Sequence, residues 1–200
     1  MRIAAATAVI AAASVLVAVS TTAATSAPVA RPAAAARTTV TLVVTGCDGC
    51  TIGVQRAIDA NSTVTPHRPT YWNGRKTKVS AGRATFSVPT AYTAGMSFTI
   101  SAPWQGGAGF VANIVLGDSS AGGKQVTPGQ AQHRKLATAC WAGTASATAT
   151  IHVLVTRVMV EGYTKPEPTP LAWASPTVPT VGPLGETVSG TLGNQEAYYC

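Results

Sequence analysis

Four cysteines are the residues of this chain whose type and spacing could do chemistry, and they are Cys47, Cys50, Cys140 and Cys200. Cys47 and Cys50 form a C-x-x-C pair, which can hold a soft metal ion through two thiolates or take part in thiol–disulfide exchange. An even number of cysteines in an exported chain also favours disulfides, and four cysteines allow three pairings. We expect the pairs Cys47–Cys50 and Cys140–Cys200, the second of which would tether the end of the chain to the domain.

The sequence around the C-x-x-C pair, VTGCDGCT, resembles the strand and loop that carry two metal-binding cysteines in heavy-metal-associated domains. That resemblance implies a Cu(I) site at Cys47 and Cys50, and the spacing alone would also allow a thiol-redox role. Gly46, however, directly precedes Cys47, where that family has a methionine and one further residue. Ile52 and Val54 alternate with small or polar residues, as in a strand rather than a helix. A structural bridge is therefore our main interpretation, and an extracellular metal-binding or redox site is the alternative.

Other catalytic arrangements are missing from the sequence. Seven acidic residues in 200, within a total of 10% charged residues, leave few carboxylates for a hydrolytic pair. The three histidines are not spaced as H-x-H or H-E-x-x-H, and neither G-x-S-x-G nor a Walker loop is present. The sequence thus predicts no catalytic residue, no cofactor and no enzyme activity.

A group of basic and aromatic residues is the main candidate for ligand contact. Fourteen Lys and Arg against seven Asp and Glu give a formal charge of +7, and several of these cations follow Tyr71 and Trp72 closely. Basic side chains beside aromatic rings can hold an anionic polymer, whereas lysines on an edge strand also serve simply to block aggregation of sheets. The candidate contact residues are Tyr71, Trp72, Arg75, Lys76, Lys78 and Trp104.

Strands are predicted along most of the chain from residue 38, because apolar and polar residues alternate with a period of two. The clearest segments are Thr38–Thr45, Arg83–Val88, Met96–Ser101 and Thr148–Val160. Asn73-Gly74 predicts a type I′ turn that would join two strands of a hairpin carrying the basic residues, since both residue types tolerate positive φ. Ala81-Gly82 predicts a second turn.

The remaining segments complete the predicted fold. Good helix formers after Thr127-Pro128 predict one short helix near residues 129–138. Six prolines between residues 166 and 183 exclude a helix and a central strand, so residues 165–200 should form an extended proline-rich tail tethered by Cys200. Short strands joined by turns predict a mainly β fold, a single antiparallel β-sandwich over residues 38–164.

The beginning of the chain has the three-part layout of a secretory signal peptide. Met1-Arg2 is followed by the apolar run Ile3–Val19 and then by small residues, which predicts cleavage after Ala24 and an Ala/Pro-rich linker over residues 25–37. The apolar run is close to the lower length limit for a membrane span, so an uncleaved anchor is the alternative. The sequence predicts a secreted, extracellular protein that meets a membrane only during export.

Two resemblances agree with this interpretation. The segment GRATFSVP at residues 82–89, with Tyr92 and the strand at 96–100, resembles bacterial Ig-like and transthyretin-like sandwich modules. From about Thr38 to Cys200 the order GCDGCT, APW, GD, CWAGT and a terminal cysteine is similar to uncharacterised secreted proteins of actinobacteria. Both resemblances imply a secreted β-rich fold, and neither implies an activity.

A secreted, non-catalytic β-sandwich is therefore the function class that the sequence predicts. It would act as a binding or structural module outside the cell, with an anionic cell-wall polymer or an extracellular protein as its candidate partner. Nucleic acid is not an expected partner, and the sequence does not specify the oligomeric state.

Overall fold

Extended backbone dominates the described part of the chain, which comprises residues 36–59, 70–107, 112–118, 137–160 and 164–181 of a computed structural model. The predicted signal peptide, nearly all of the predicted linker and Cys200 lie outside these residues. In chain order the strands are β1 (Arg37–Thr45), β2 (Thr51–Asp59), β3 (Thr70–Asn73), β4 (Thr77–Lys78), β5 (Arg83–Pro89), β6 (Met96–Ser101), β7 (Ala112–Asn113), β8 (Gly117–Asp118), β9 (Ala137–Thr138), β10 (Thr148–Val160) and β11 (Glu167–Ala174). A single turn of 3-10 helix spans Thr90–Tyr92.

Two sheets pack against each other and enclose the core. The first sheet has the order β11–β10–β1–β5, and the second has the order β3–β2–β6–β7, with β4 also paired to β2. Alternate apolar residues of β1 and β5 point inward, and their partners come from β2 and β6, so that the rings of Phe86 and Phe98 lie 6.4 Å apart. The predicted β-sandwich is confirmed, although β1 and β10 run parallel rather than antiparallel.

The predicted hairpin at Asn73-Gly74 is wrong. Strands β3 and β4 do not pair with each other, because both lie antiparallel to β2 along the same edge. Gln55 faces Asn73 and Ile52 faces Thr77, so three steps along β2 match four steps along its partner, which is the spacing of a β-bulge. A Cβ on Gly74 would overlap Val54 Cγ2, so the glycine serves close packing here rather than a turn.

The type I′ turn lies instead at Ala81-Gly82, the second predicted turn. These residues have φ values of 48° and 69°, and the flanking residues Ser80 and Arg83 exchange two backbone hydrogen bonds of 3.0 Å. The turn joins β4 to β5. Because β4 then pairs with β2 and β5 with β1, the two strands leave the turn in different sheets.

Strand β11 shows how the proline-rich segment enters the sheet. The carbonyl of Pro168 accepts from the Gly106 N–H at 2.9 Å, on the side away from β10. Backbone groups of alternate residues point to the same edge of a strand. The N–H groups that Pro168 and Pro170 lack would therefore point away from β10, and the hydrogen bonds between β10 and β11 do not need them. The strand is an edge strand, as the prolines require, and it extends the sandwich beyond the predicted boundary at residue 164.

The chain between Ala112 and Leu116 closes one side of the sandwich. Ile114 donates its N–H to the carbonyl of Phe98 in the second sheet at 2.8 Å, and Val115 donates to the carbonyl of Ala172 in the first sheet at 2.9 Å. The opposite side has no such strand in the described residues, so the edges of β5 and of β3–β4 face each other there.

The predicted helix near residues 129–138 falls mostly outside the described residues. Its last two residues, Ala137 and Thr138, form β9 and pair with β8 instead. No helix in the described ranges has the length and hydropathy of a membrane span.

Candidate functional site

A groove of about 680 Å³ runs along the open side of the sandwich. One wall is the edge of β5, and the other is the edge formed by β4 and by the bulge that precedes β4 in the chain. The type I′ turn closes one end of the groove, because β4 and β5 meet there. The lining residues fall into four cations, four hydroxyl-bearing residues and three apolar residues. They are Arg37, Arg75, Lys76 and Lys78, then Thr39, Thr77, Thr85 and Ser87, then Val54, Phe86 and Val88.

The bulge and β4 carry three of the four cations. Arg75 and Lys76 occupy the irregular stretch after Gly74, where the bulge adds one residue relative to β2, and both are exposed. The stem of Lys76 lies near Gly53, where a Cβ would be at an ordinary contact distance of 3.6 Å from Lys76 Cγ; it is Thr99 for which the glycine leaves room, since Thr99 Oγ1 would lie 2.7 Å from that Cβ. Lys78 is the last residue of β4 and is also exposed. These cations therefore form one wall of the groove.

Arg37 supplies the cation of the opposite wall. It is the first residue of β1 and donates from Nε to Ser87 Oγ at 2.8 Å and from Nη2 to the Ser87 carbonyl at 2.6 Å. These bonds fix the guanidinium on the edge of β5. No acidic residue is among the described residues that line the groove, so nothing in this lining neutralises the four positive charges.

The floor of the groove contributes little apolar surface. Val54, Phe86 and Val88 are at most 4% exposed, because their side chains belong to the core. The hydroxyl-bearing residues Thr85 and Ser87 point outward from β5 and are exposed. A bound molecule would therefore meet charges and hydroxyls rather than a hydrophobic pocket.

The predicted contact residues separate into two groups. Arg75, Lys76 and Lys78 line the groove as a set, whereas the predicted aromatic residues do not line it. Trp72 is half-buried against the core, with its ring centroid 5.4 Å from that of Tyr92 in an edge-to-face arrangement. Tyr71 is half-buried on β3. No aromatic platform therefore adjoins the cations in the described lining.

Trp104, the third predicted aromatic contact, lies elsewhere. It follows β6 in the chain, before β7, and the guanidinium carbon of Arg157 on β10 lies 5.4 Å from its ring centroid. Sequence reasoning also missed Arg37 and the four hydroxyls. Only the repeated Thr and Ser at polar positions of the predicted strands could have indicated the hydroxyls.

Cys47 and Cys50 form a disulfide with each other, as expected, and both are at most 4% exposed within the core. Gly46 directly precedes the loop and Gly49 lies within it, with φ values of 93° and 81°, a backbone conformation that favours glycine. Cys140 is also disulfide-bonded, and its expected partner, Cys200, lies outside the described residues.

The alternative site at the C-x-x-C pair would need free thiolates. In the bridged form neither sulfur provides one, and the burial of both sulfurs keeps them from solvent. Within the described ranges no group of three or more His, Cys, Asp or Glu side chains could hold a metal ion. The geometry of this loop therefore favours a structural role.

Comparison with known proteins gives no relative on which to base a function: no family model, curated protein or solved structure matches this chain. The fold and the groove define it as a β-sandwich with a cationic groove on its open side.

Proposed function

We propose that this protein is a secreted, non-catalytic β-sandwich module that binds an anionic polymer outside the cell. The observation that carries this proposal is the groove between two sheet edges, in which four cations and no described acidic residue share one lining. A cell-wall polymer is the partner class that such a groove fits best.

Charge supports the proposal in two ways. Unneutralised cations in a concave site concentrate the positive potential and attract anions from a distance. A polyanion that binds them also releases condensed counterions, so its affinity falls as salt is added. The groove follows β5 from Thr85 to Val88, roughly 10 Å at about 3.3 Å per residue, so it would take a few repeat units of a longer chain.

A binding role without catalysis fits the chemistry of the lining. The charged members of the lining, Arg37, Arg75, Lys76 and Lys78, are all arginines or lysines. The hydroxyls beside them have no described His or carboxylate in the lining to act as a general base. The groove is thus equipped to hold an anion rather than to cleave it.

The compartment rests on the sequence. The leader at residues 1–24 and the even number of cysteines indicate export, and the Cys47–Cys50 bridge suits an oxidising environment. The similarity to Ig-like and transthyretin-like modules and to secreted actinobacterial proteins supports an origin as an exported bacterial module.

Binding to purified cell wall and to soluble polyanions tests the proposal, with the mature protein and a titration of NaCl. We expect retention at low salt, and the Lys76→Gln/Lys78→Gln double variant should weaken binding by about tenfold at low salt, since two anion contacts are lost. Arg157→Gln/Lys165→Gln removes the same charge outside the groove and serves as the matched control, with an expected change below about twofold. No retention on any polyanion at low salt, or equal losses in both variants, would overturn the proposal.

A further inference from the structure

The hairpin of β4 and β5 leaves its hydrogen-bonding ladder unfinished beside the groove. Ser80 and Arg83 exchange both of their backbone hydrogen bonds across the turn. Because the backbone groups of alternate residues point to the same edge of a strand, Lys78 and Thr85 would form the next hydrogen-bonded pair. They do not pair, since β4 lies in one sheet and β5 in the other. Their N–H and C=O groups therefore face the groove, whose lining includes both residues.

Hydrogen bonds on the other edge of each strand agree with these directions. On β4, Val79 donates its N–H to the carbonyl of the residue before β2, so the backbone groups of its neighbour Lys78 point away from β2. On β5, Ser87 lies opposite Thr39 of β1, whose N–H donates instead to a carbonyl on the side of β10. Ser87 therefore also directs its backbone groups toward the groove. Its carbonyl accepts from Arg37, and its N–H points into the groove.

The opposite side of the sandwich shows what can fill such a gap. There one extended segment bonds both sheets, since Ile114 donates to the Phe98 carbonyl and the next residue, Val115, donates to the Ala172 carbonyl. Stacked sheets lie about 10 Å apart and paired strands about 4.8 Å apart, so one strand between two sheet edges lies within pairing distance of each. The groove occupies the corresponding gap on the open side.

The charges of the groove favour a strand that carries carboxylates. A strand paired with β5 places every second side chain on the outward face, where Arg37 is held on Ser87 and Lys78 is exposed on β4. Arg75 is also exposed, and its guanidinium fork can hold a carboxylate through two hydrogen bonds. The intervening side chains face a floor of buried apolar residues, so they must be small.

We infer that the groove takes an extended acidic segment of another extracellular polypeptide, which adds as a strand beside β5 and closes the open side of the sandwich. Strand addition draws affinity from main-chain hydrogen bonds and specificity from alternate side chains, which here are carboxylates against Lys78, Arg75 and Arg37. The inference rests on the proposed function, because it adds a partner to the same anion-binding groove. A second copy of this chain would bring like charges together along β5.

Peptides that differ only in their backbone donors test the inference, with the whole mature protein at low salt. The parent peptide alternates Glu with Val over about eight residues, which exceeds the length of the groove. One companion is N-methylated at every Glu and another at every Val, so each keeps the charge but loses the donors of one edge. We expect the parent peptide to bind and at least one companion to bind at least about tenfold more weakly. Equal binding of all three, or no peptide binding where inorganic polyphosphate binds, would overturn strand addition and leave the proposed function standing. Binding of neither peptide nor polyphosphate would overturn both.

A proline on the edge of β5 provides the second measurement. Thr85→Pro removes an N–H that faces the groove and none that pairs with β1, as Pro168 and Pro170 do on β11. It should weaken binding of the parent peptide by about threefold to tenfold, the effect of one lost hydrogen bond, and leave polyphosphate binding unchanged. Thr85→Val keeps the N–H and is the matched control, which should change neither affinity. Equal losses for both ligands, or full peptide affinity in a Thr85→Pro variant that melts like the parent protein, would contradict the inference. A dimer of the protein alone that Thr85→Pro dissociates would assign the edge to a second copy and overturn the acidic partner.

Discussion

The guanidinium of Arg37 holds two atoms of Ser87, the hydroxyl oxygen at 2.8 Å and the carbonyl oxygen at 2.6 Å. The two residues lie 50 positions apart and meet because β1 and β5 pair antiparallel. The carbonyl belongs to the exposed edge of β5, where an unpaired acceptor could form a hydrogen bond with a strand of another chain. Arg37 therefore contributes a charge to the groove and also covers part of an edge that could pair with a second chain.

Replacing Arg37 should promote self-association. In Arg37→Ala the Ser87 carbonyl loses its donor and the edge of β5 loses a nearby charge, both of which favour pairing between edges. Light scattering coupled to size exclusion, over a range of concentrations, should show a concentration-dependent dimer or larger species. Arg37→Lys keeps the charge but not the two-donor fork, and it should give an intermediate result. A variant Arg37→Ala that matches the parent protein at every concentration would show that the edge needs no such cover.

Ala81 is the described non-glycine residue with positive φ, at 48°. The left-handed conformation costs alanine roughly 1 kcal/mol, whereas asparagine tolerates it through its short polar side chain. Ala81→Asn should therefore stabilise the fold by about 0.5–1 kcal/mol, since Asn-Gly is the preferred pair for a type I′ turn. Thermal unfolding should show a rise in Tm of about 1–4 °C. Ala81→Val should lower the Tm. A lower Tm for Ala81→Asn would mean that the alanine at this turn is not strained.

Ser97 has a hydroxyl without a hydrogen-bond partner although the residue is only 1% exposed. Asn113 on the neighbouring strand β7 is similar, with both amide atoms buried and unpaired. A buried polar group without a partner costs about 1–3 kcal/mol. Ser97→Ala removes that cost and loses little volume, so urea unfolding should show a gain of about 1 kcal/mol. A loss of stability in Ser97→Ala would indicate that a buried water or another group satisfies the hydroxyl.

Much of the core could be predicted from the sequence because strand periodicity is a local signal. Val40, Leu42 and Val44 alternate with polar residues, and all three are buried in β1. Phe98 on β6 belongs to the same core, and the ring of Trp141, which is 4% exposed, lies 6.3 Å from its ring. In these strands the pattern of burial follows from which side chains share a face.

The pairing of the strands could not be predicted in the same way. Asn73-Gly74 and Ala81-Gly82 are both suitable for a type I′ turn by local chemistry, and only the second becomes one. The first lies along β2, which offers backbone partners on both sides of the glycine, including the Val54 carbonyl that accepts from Gly74 N–H at 2.9 Å. Turn propensity is local, whereas the competing strand comes from elsewhere in the chain.

The groove was predictable only in part for the same reason. The basic residues of the β4 wall are close together in sequence, so their clustering was visible. Arg37 lay at the end of the predicted linker, and only the pairing of β1 with β5 brings it to the opposite wall. Burial of Trp72 against the core also depends on tertiary packing, so sequence alone could not show that the aromatic residues lie outside the described lining.

The Cys47–Cys50 loop holds the groove wall through Val79. Gly49 donates its N–H to the Val79 carbonyl at 2.9 Å, and Val79 donates its N–H to the Cys50 carbonyl at 2.7 Å. Val79 directly follows Lys78, and Lys78 Cε lies 3.8 Å from the position of a Cβ on Gly49. The disulfide therefore fixes the loop that ends β4 and with it the position of a groove cation.

Removing the bridge should weaken both the fold and the groove. Cys47→Ala/Cys50→Ala keeps apolar side chains in the core, and it should lose about 2 kcal/mol in urea unfolding, the entropic effect of a four-residue loop. Because the loop no longer fixes Val79, affinity for a polyanion should fall by about threefold or more even where the variant is fully folded, a loss like that of one charge contact. Ile58→Ala, at an exposed position outside the described lining, is the control for an alanine substitution that does not touch the loop, and it should leave the affinity unchanged. Full affinity in the folded double variant would show that β2 alone, through its pairing with β4, is sufficient to position Lys78.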